Sequence, residues 1–248
     1  MKDQARKIKN PITFFLLIVA IPAVVLGGAF LFREKHYAFP SIAVAVLSCI
    51  PLFYTFERKE SKAGELIVLA ALVAVSALGR FAFAWLPSFK PVAAVVVIVG
   101  IVLGKEAGFV VGSLSAVVSN FFFGQGPWTP FQMFSWGFIG LLAGLLARFL
   151  KKNRVFPALF GIAAGVLYSL LMDVWTVVWA DGTFNMRRYF LAVSTSLPVM
   201  IEYVISNAVF LLVLSKPLGD VLERIRQKYG LFATPSAEPE REEEEEKQ

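Results

Sequence analysis

The sequence predicts an all-α, polytopic membrane protein with eight transmembrane helices and both termini cytoplasmic. Three observations carry this reading. Of 248 residues, 57% are hydrophobic and the mean hydropathy is +0.68, whereas soluble domains are about 45–50% apolar. Several runs of about twenty residues carry almost no charge, the length that crosses a hydrocarbon core of about 30 Å. Lys and Arg also fall unevenly between alternate loops. Leaving out the acidic tail, sixteen lie on the side of the termini and five (Arg33, Lys35, Lys90, Arg187 and Arg188) on the other. Cytoplasmic loops collect such cations.

The chain opens with Lys2, Arg6, Lys7 and Lys9, followed by an apolar run from Ile12 to Phe32. The run exceeds a signal h-region and lacks a clear small-x-small cleavage site, so it reads as a retained helix. A second span covers about Phe39 to Phe56, kinked at Pro51. Residues 57–64 form a charged loop. A third span, about Glu65 to Leu86, stops at Pro87-Ser88-Phe89-Lys90-Pro91. The fourth, Val92 to Leu103, is short and must tilt or gain length from its flanks. The fifth is about Ala107 to Phe123 and the sixth about Phe131 to Leu150. The seventh is about Phe156 to Ala180 and the eighth about Phe190 to Leu214. A separate charged helix over Lys216 to Tyr229 and a disordered acidic tail over residues 231–248 follow. That tail ends with seven Glu among its last eleven residues, although the net charge is +6. The remaining cation excess fits inside loops, not a nucleic-acid surface.

Composition excludes several chemistries. One Cys, Cys49, and one His, His36, allow neither a disulfide framework nor a metal site, and no cofactor is expected. The string from Gly100 to Glu106 lacks phosphate-loop spacing and has Glu where Ser or Thr binds magnesium. Ser113 has no histidine on a neighbouring helix to act as base. Nothing points to an enzyme, and any ATP-driven step needs another subunit.

Polar residues inside the apolar runs point to a site. Intramembrane ionisable residues are costly and face the bundle or a wet cavity. Arg80, Asn120, Gln125, Gln132 and Asp173 fall in the outer halves of their spans or the outer turn, and Glu202 near mid-span. The hinge Asn120-Phe-Phe-Phe-Gly-Gln-Gly-Pro-Trp-Thr-Pro130 is too rich in Gly and Pro to continue a helix, and its rings suit a flat ligand. A candidate substrate site therefore takes Arg80, Phe89, Lys90, Asn120, Phe123, Gln125, Trp128, Thr129, Gln132, Trp136, Tyr168, Asp173 and Tyr203, with Trp175 as a further possible wall. The simpler alternatives are an Arg80–Asp173 or Arg80–Glu202 pair that fixes packing, and an interfacial aromatic belt. Ala70, Ala74 and Ala77 share one face of the third span, and small residues there let another helix approach closely, whether in this bundle or a partner.

These residues resemble a known family. Ala70-x-x-x-Ala74, Gly79-Arg80, Phe89-Lys90-Pro91, Gly104-Lys105-Glu106-Ala107-Gly108-Phe109 and Ser119 through Pro130 are similar to the substrate-binding S component of energy-coupling factor (ECF) vitamin transporters. They are most similar to the cobalamin and corrinoid type. The resemblance covers the third to eighth spans, about 150 residues. It implies a six-helix membrane domain, residues 61–230, behind an extra N-terminal hairpin, residues 1–60, in a prokaryotic plasma membrane. It also implies a vitamin bound at the outer face, docking through Ala70 and Ala74 onto a transmembrane T subunit, and two ATPase subunits. Riboflavin or another flat vitamin or modified-base precursor is the second choice. Outside this family, Asp173 and Glu202 suit a proton- or sodium-coupled carrier, and the acidic tail suits a scaffold.

Overall fold

A computed structural model describes residues 63–153 and 155–232. The two N-terminal spans and the tail beyond Phe232 lie outside the described residues. Seven helices run in order: α1 Ala63–Ala82, α2 Val92–Leu103, α3 Lys105–Phe123, α4 Thr129–Leu145, α5 Ala147–Leu150, α6 Val155–Asp181 and α7 Met186–Tyr229. Among the described residues no strand forms. Four helices, α1, α3, α6 and α7, are long and apolar enough to cross a membrane. This is a multi-pass membrane protein.

Apolar residues on every face make α2 the centre. Its twelve residues are all buried, as expected for a helix with no polar stripe. It spans about 18 Å, and its short length serves the bundle interior rather than a lipid-facing crossing. Gly104, at φ 108, turns the chain straight into α3. Glycines then bring α3 and α4 together. A Cβ on Gly108 would lie 2.6 Å from the Gly140 carbonyl oxygen, so these backbones touch. Close approach through small residues is a membrane packing mode.

The boundaries differ from the sequence expectation in four places. Helix α1 ends at Ala82, not Leu86, because Phe83–Leu86 forms turns closed by Ala84 N–H to Phe81 O and Leu86 N–H to Phe83 O. The sixth span breaks at Leu146 into α4 and α5. The eighth span and the charged segment are one helix, α7, 44 residues long and containing Pro198 and Pro217, about 66 Å in length. A proline lacks one donor, but the rest of the ladder holds the axis. The chain also stays packed past Tyr229. Leu231 and Phe232, the first two residues of the expected tail, are buried. Phe232 N–H donates to Glu65 Oε1 at 2.5 Å, tying the end of the described chain to the first turn of α1.

This antiparallel order gives two ends. One holds the start of α1 and the end of α7, with Lys105, Arg148, Lys151 and Lys216. The other holds the α1–α2 loop, the α3–α4 turn and the α6–α7 turn. Asn185 caps α7 there by accepting from the Arg187 and Arg188 amides at 2.9 and 3.2 Å.

Candidate functional site

A cavity of about 150 Å³ opens at the end away from these cations. The non-helical 83–91 loop supplies Pro87, Ser88 and Lys90. Arg80 comes from α1, Phe123 from α3, Trp136 from α4, Tyr168 from α6, and Tyr203 and Asn207 from α7. Pro91 ends the loop by starting α2, so the loop must turn back over the bundle. Its backbone is fastened to α7. Lys90 N–H donates to Ser206 Oγ at 2.9 Å, and Ser206 Oγ donates to Lys90 O at 3.0 Å. Ser88 N–H donates to Glu202 Oε2 at 3.1 Å.

Arg80 organises the inner wall. Its Nη1 donates to Ser119 Oγ at 2.6 Å and to Asn120 Oδ1 at 2.7 Å. The guanidinium carbon lies 4.3 Å from the Phe123 ring centre and 5.2 Å from that of Trp136, a cation–π arrangement. The Arg80–Asp173 and Arg80–Glu202 pairs expected as alternatives do not form. Among the described residues no carboxylate makes an ion pair with Arg80.

A relay extends from Arg80. Asn120 Nδ2 donates to Gln132 Oε1 at 2.8 Å and to Thr129 Oγ1 at 3.1 Å. Gln132 Nε2 donates to the Tyr168 hydroxyl at 3.0 Å. Tyr168 stacks on Trp136, with ring centres 5.6 Å apart and planes 15° apart, and meets Tyr203 edge-on at 4.9 Å. Five side chains on four helices are thus oriented by one network, and satisfied buried networks of this kind rigidify what they hold. Lys90 contributes a second cation. Its Nζ donates to Leu86 O at 2.7 Å and to Pro87 O. Burial first, and then the Arg80 charge, lower its pKa, while Glu202 opposes the shift.

The structure brings some expected residues together and separates others. Arg80, Lys90, Phe123, Trp136, Tyr168 and Tyr203 line the cavity. Asn120, Thr129 and Gln132 sit behind the wall and hold it. Gln125 is further out, accepting from Thr129 Oγ1 at 3.0 Å and donating to Val117 O at 2.8 Å, so it pins the turn to α3. Trp128 does not reach the cavity. Gly124, at φ 97, turns the chain so that the indole covers Gly126 and remains 39% exposed. Phe89 packs on Phe83 and Phe210. Asp173 accepts from Ser196 Oγ at 2.7 Å, away from the lining, and Trp175 packs between Phe131 and Trp179. Ser88 and Asn207 line the cavity without having been expected. Asn207, a polar residue inside an apolar run, was the available signal.

The exposed side of α1 is mixed. Ala70 and Ala74 face outward with Leu66, Ile67 and Leu78. Ala77 is only 5% exposed and packs inward, so it does not share their free face.

An all-helical membrane body with an aromatic, cation-bearing cavity at one end defines a membrane-embedded small-molecule-binding protein. A family model described as ECF-type riboflavin transporter, S component, matches residues 63–224. The chain belongs to this family, whose members are non-enzymatic substrate-binding subunits working with T and ATPase modules in a membrane. No curated protein and no solved structure matches it.

Proposed function

We propose that this protein is the substrate-specificity subunit of an ATP-driven vitamin importer and that its vitamin is riboflavin. The observation that carries the substrate is the aromatic lining that Phe123, Trp136, Tyr168 and Tyr203 give the cavity, together with the matching family model. A flat tricyclic ring can stack on an aromatic wall of this kind once the cavity opens, and its carbonyl edge can accept from Arg80. A corrinoid, first choice on the sequence alone, is several times bulkier than a flavin. At about 150 Å³ the cavity is already below the roughly 300–1,000 Å³ usual for ligand sites. Riboflavin entry therefore moves the 83–91 loop, the one wall not built from helix.

Delivery follows from docking. Ala70 and Ala74 form the approach face for the T subunit, and two ATPase subunits supply the energy. The vitamin enters from outside because the cavity lies opposite the end richer in Lys and Arg.

The test is titration of the purified full-length protein in detergent with riboflavin and, separately, with cobalamin. Quenching of flavin fluorescence at one site per chain, with no response to cobalamin, supports the reading. Cobalamin binding without riboflavin binding overturns the substrate. Binding of neither overturns the assignment of the cavity.

A further inference from the structure

A second, larger cavity of about 490 Å³ lies at the opposite, basic end. Its floor is apolar: Ile101 and Val102 of α2 and Leu150 of α5. Its rim carries Ser215, Lys216, Gly219, Asp220 and Glu223 on α7, with Lys151 and Asn153 across from them, so two lysines stand beside two carboxylates. Two features of that rim stand out. The Ser215 Oγ is shielded from solvent and has no hydrogen-bond partner among the described residues, an unfavourable state for a buried hydroxyl. Lys216 makes no ion pair among the described residues, whereas the Glu223 carboxylate, which also lines the cavity, is shared by Lys151 at 3.8 Å and Arg226 at 3.6 Å. The helices flanking the cavity leave Phe149, Leu212 and Val213 exposed, so its surroundings are those of an apolar phase.

We propose that this cavity holds one glycerophospholipid of the cytoplasmic leaflet. An acyl chain lies along Ile101, Val102 and Leu150. The phosphate meets the Lys216 ammonium, and Ser215 Oγ donates to a phosphate or ester oxygen. The volume falls within the range of small-molecule sites. Basic pockets between membrane helices on the cytoplasmic side recognise lipid headgroups through the same chemistry. A free inorganic anion would use the rim but leave the apolar floor unfilled. The site is independent of which vitamin the other end binds.

The experiment uses the full-length protein in mild detergent, with bound lipid read by native mass spectrometry. Wild type should retain about one phospholipid per chain through delipidation. Gly219 offers a clean block, because a Cβ there meets nothing within 4 Å. Gly219→Phe fills the cavity and Lys216→Glu repels the phosphate. Each should lower lipid retention at least tenfold, while the melting temperature of delipidated Gly219→Phe stays within a few degrees of delipidated wild type. Gly219→Leu replaces it if the phenylalanine variant does not fold. Adding back phosphatidylglycerol in mixed micelles should raise the melting temperature of wild type but not of Gly219→Phe. Inorganic phosphate alone should not raise it. The proposal is overturned by wild type that retains no phospholipid, by a filled variant that retains as much as wild type, or by an equal shift with inorganic phosphate.

Discussion

Arg80 on α1 and Asn120 on α3 are joined by a hydrogen bond of 2.7 Å. The same Asn120 side chain hands its two N–H donors to Thr129 and Gln132. The cation that lines the cavity is therefore aimed by an amide that is itself held from α4. Among the described residues no carboxylate pairs with Arg80, and its charge lies against the cavity and the rings of Phe123 and Trp136.

Replacing Arg80 with Ala should weaken riboflavin binding about ten- to a hundredfold, because a charge-assisted hydrogen bond is worth about 1.5–3 kcal/mol. Fluorescence titration in detergent measures this. Unchanged affinity would mean that Arg80 serves only to pack α1 against α3.

Phe123→Ala and Trp128→Ala form a contrasting pair. Phe123 lines the cavity and Trp128 lies over Gly126. The first should lose about tenfold in affinity and the second less than about threefold, since ring contacts of this kind contribute about 0.5–1.5 kcal/mol. The reverse order would place the α3–α4 turn inside the site.

Ala70→Trp and Ala74→Trp should each abolish uptake in cells while riboflavin affinity of the purified protein stays within about twofold. A ring on that face holds apart helices that must touch. Ala77→Trp should instead lower the melting temperature, because Ala77 is buried and overpacking costs about 1–3 kcal/mol. Uptake that survives both outward substitutions would move the docking face elsewhere.

Gly108→Leu should destabilise the bundle by more than about 3 kcal/mol, since its first added carbon already meets the Gly140 carbonyl at 2.6 Å and the neighbour is backbone. Gly219→Ala should be neutral or stabilising by up to about 1 kcal/mol, as it adds a helix former in open space. Thermal melting in detergent compares the two.

The long helices were legible because apolar runs bounded by charge have one physical explanation in a membrane. Their ends were less so. No signal within α7 separates a proline that ends a helix from one that a helix tolerates, and Pro217 proved to be the second kind. Arg80, Trp136 and Tyr168 stood out because a charge or ring within an apolar span needs a partner, and all three line the cavity. Trp128 and Phe89 stood out in the same way yet lie off that lining: an aromatic in an outer loop looks alike whether it faces a cavity or covers a turn. For Trp128 the structure shows the second case, with the indole over Gly126. Ala77 shows the corresponding limit on a helix. Its spacing from Ala74 puts the two on neighbouring positions, but it does not say where the lipid-facing arc stops.

The hydrogen bond from Phe232 to Glu65 has a mechanical consequence. The first turn of α1 and the residues that follow α7 are therefore neighbours at one end of the bundle. The foot of α7 is thus tied to the foot of α1 at the end opposite the cavity. Glu65→Ala would remove this tie and leave α1 held by its packing on α2 and α3.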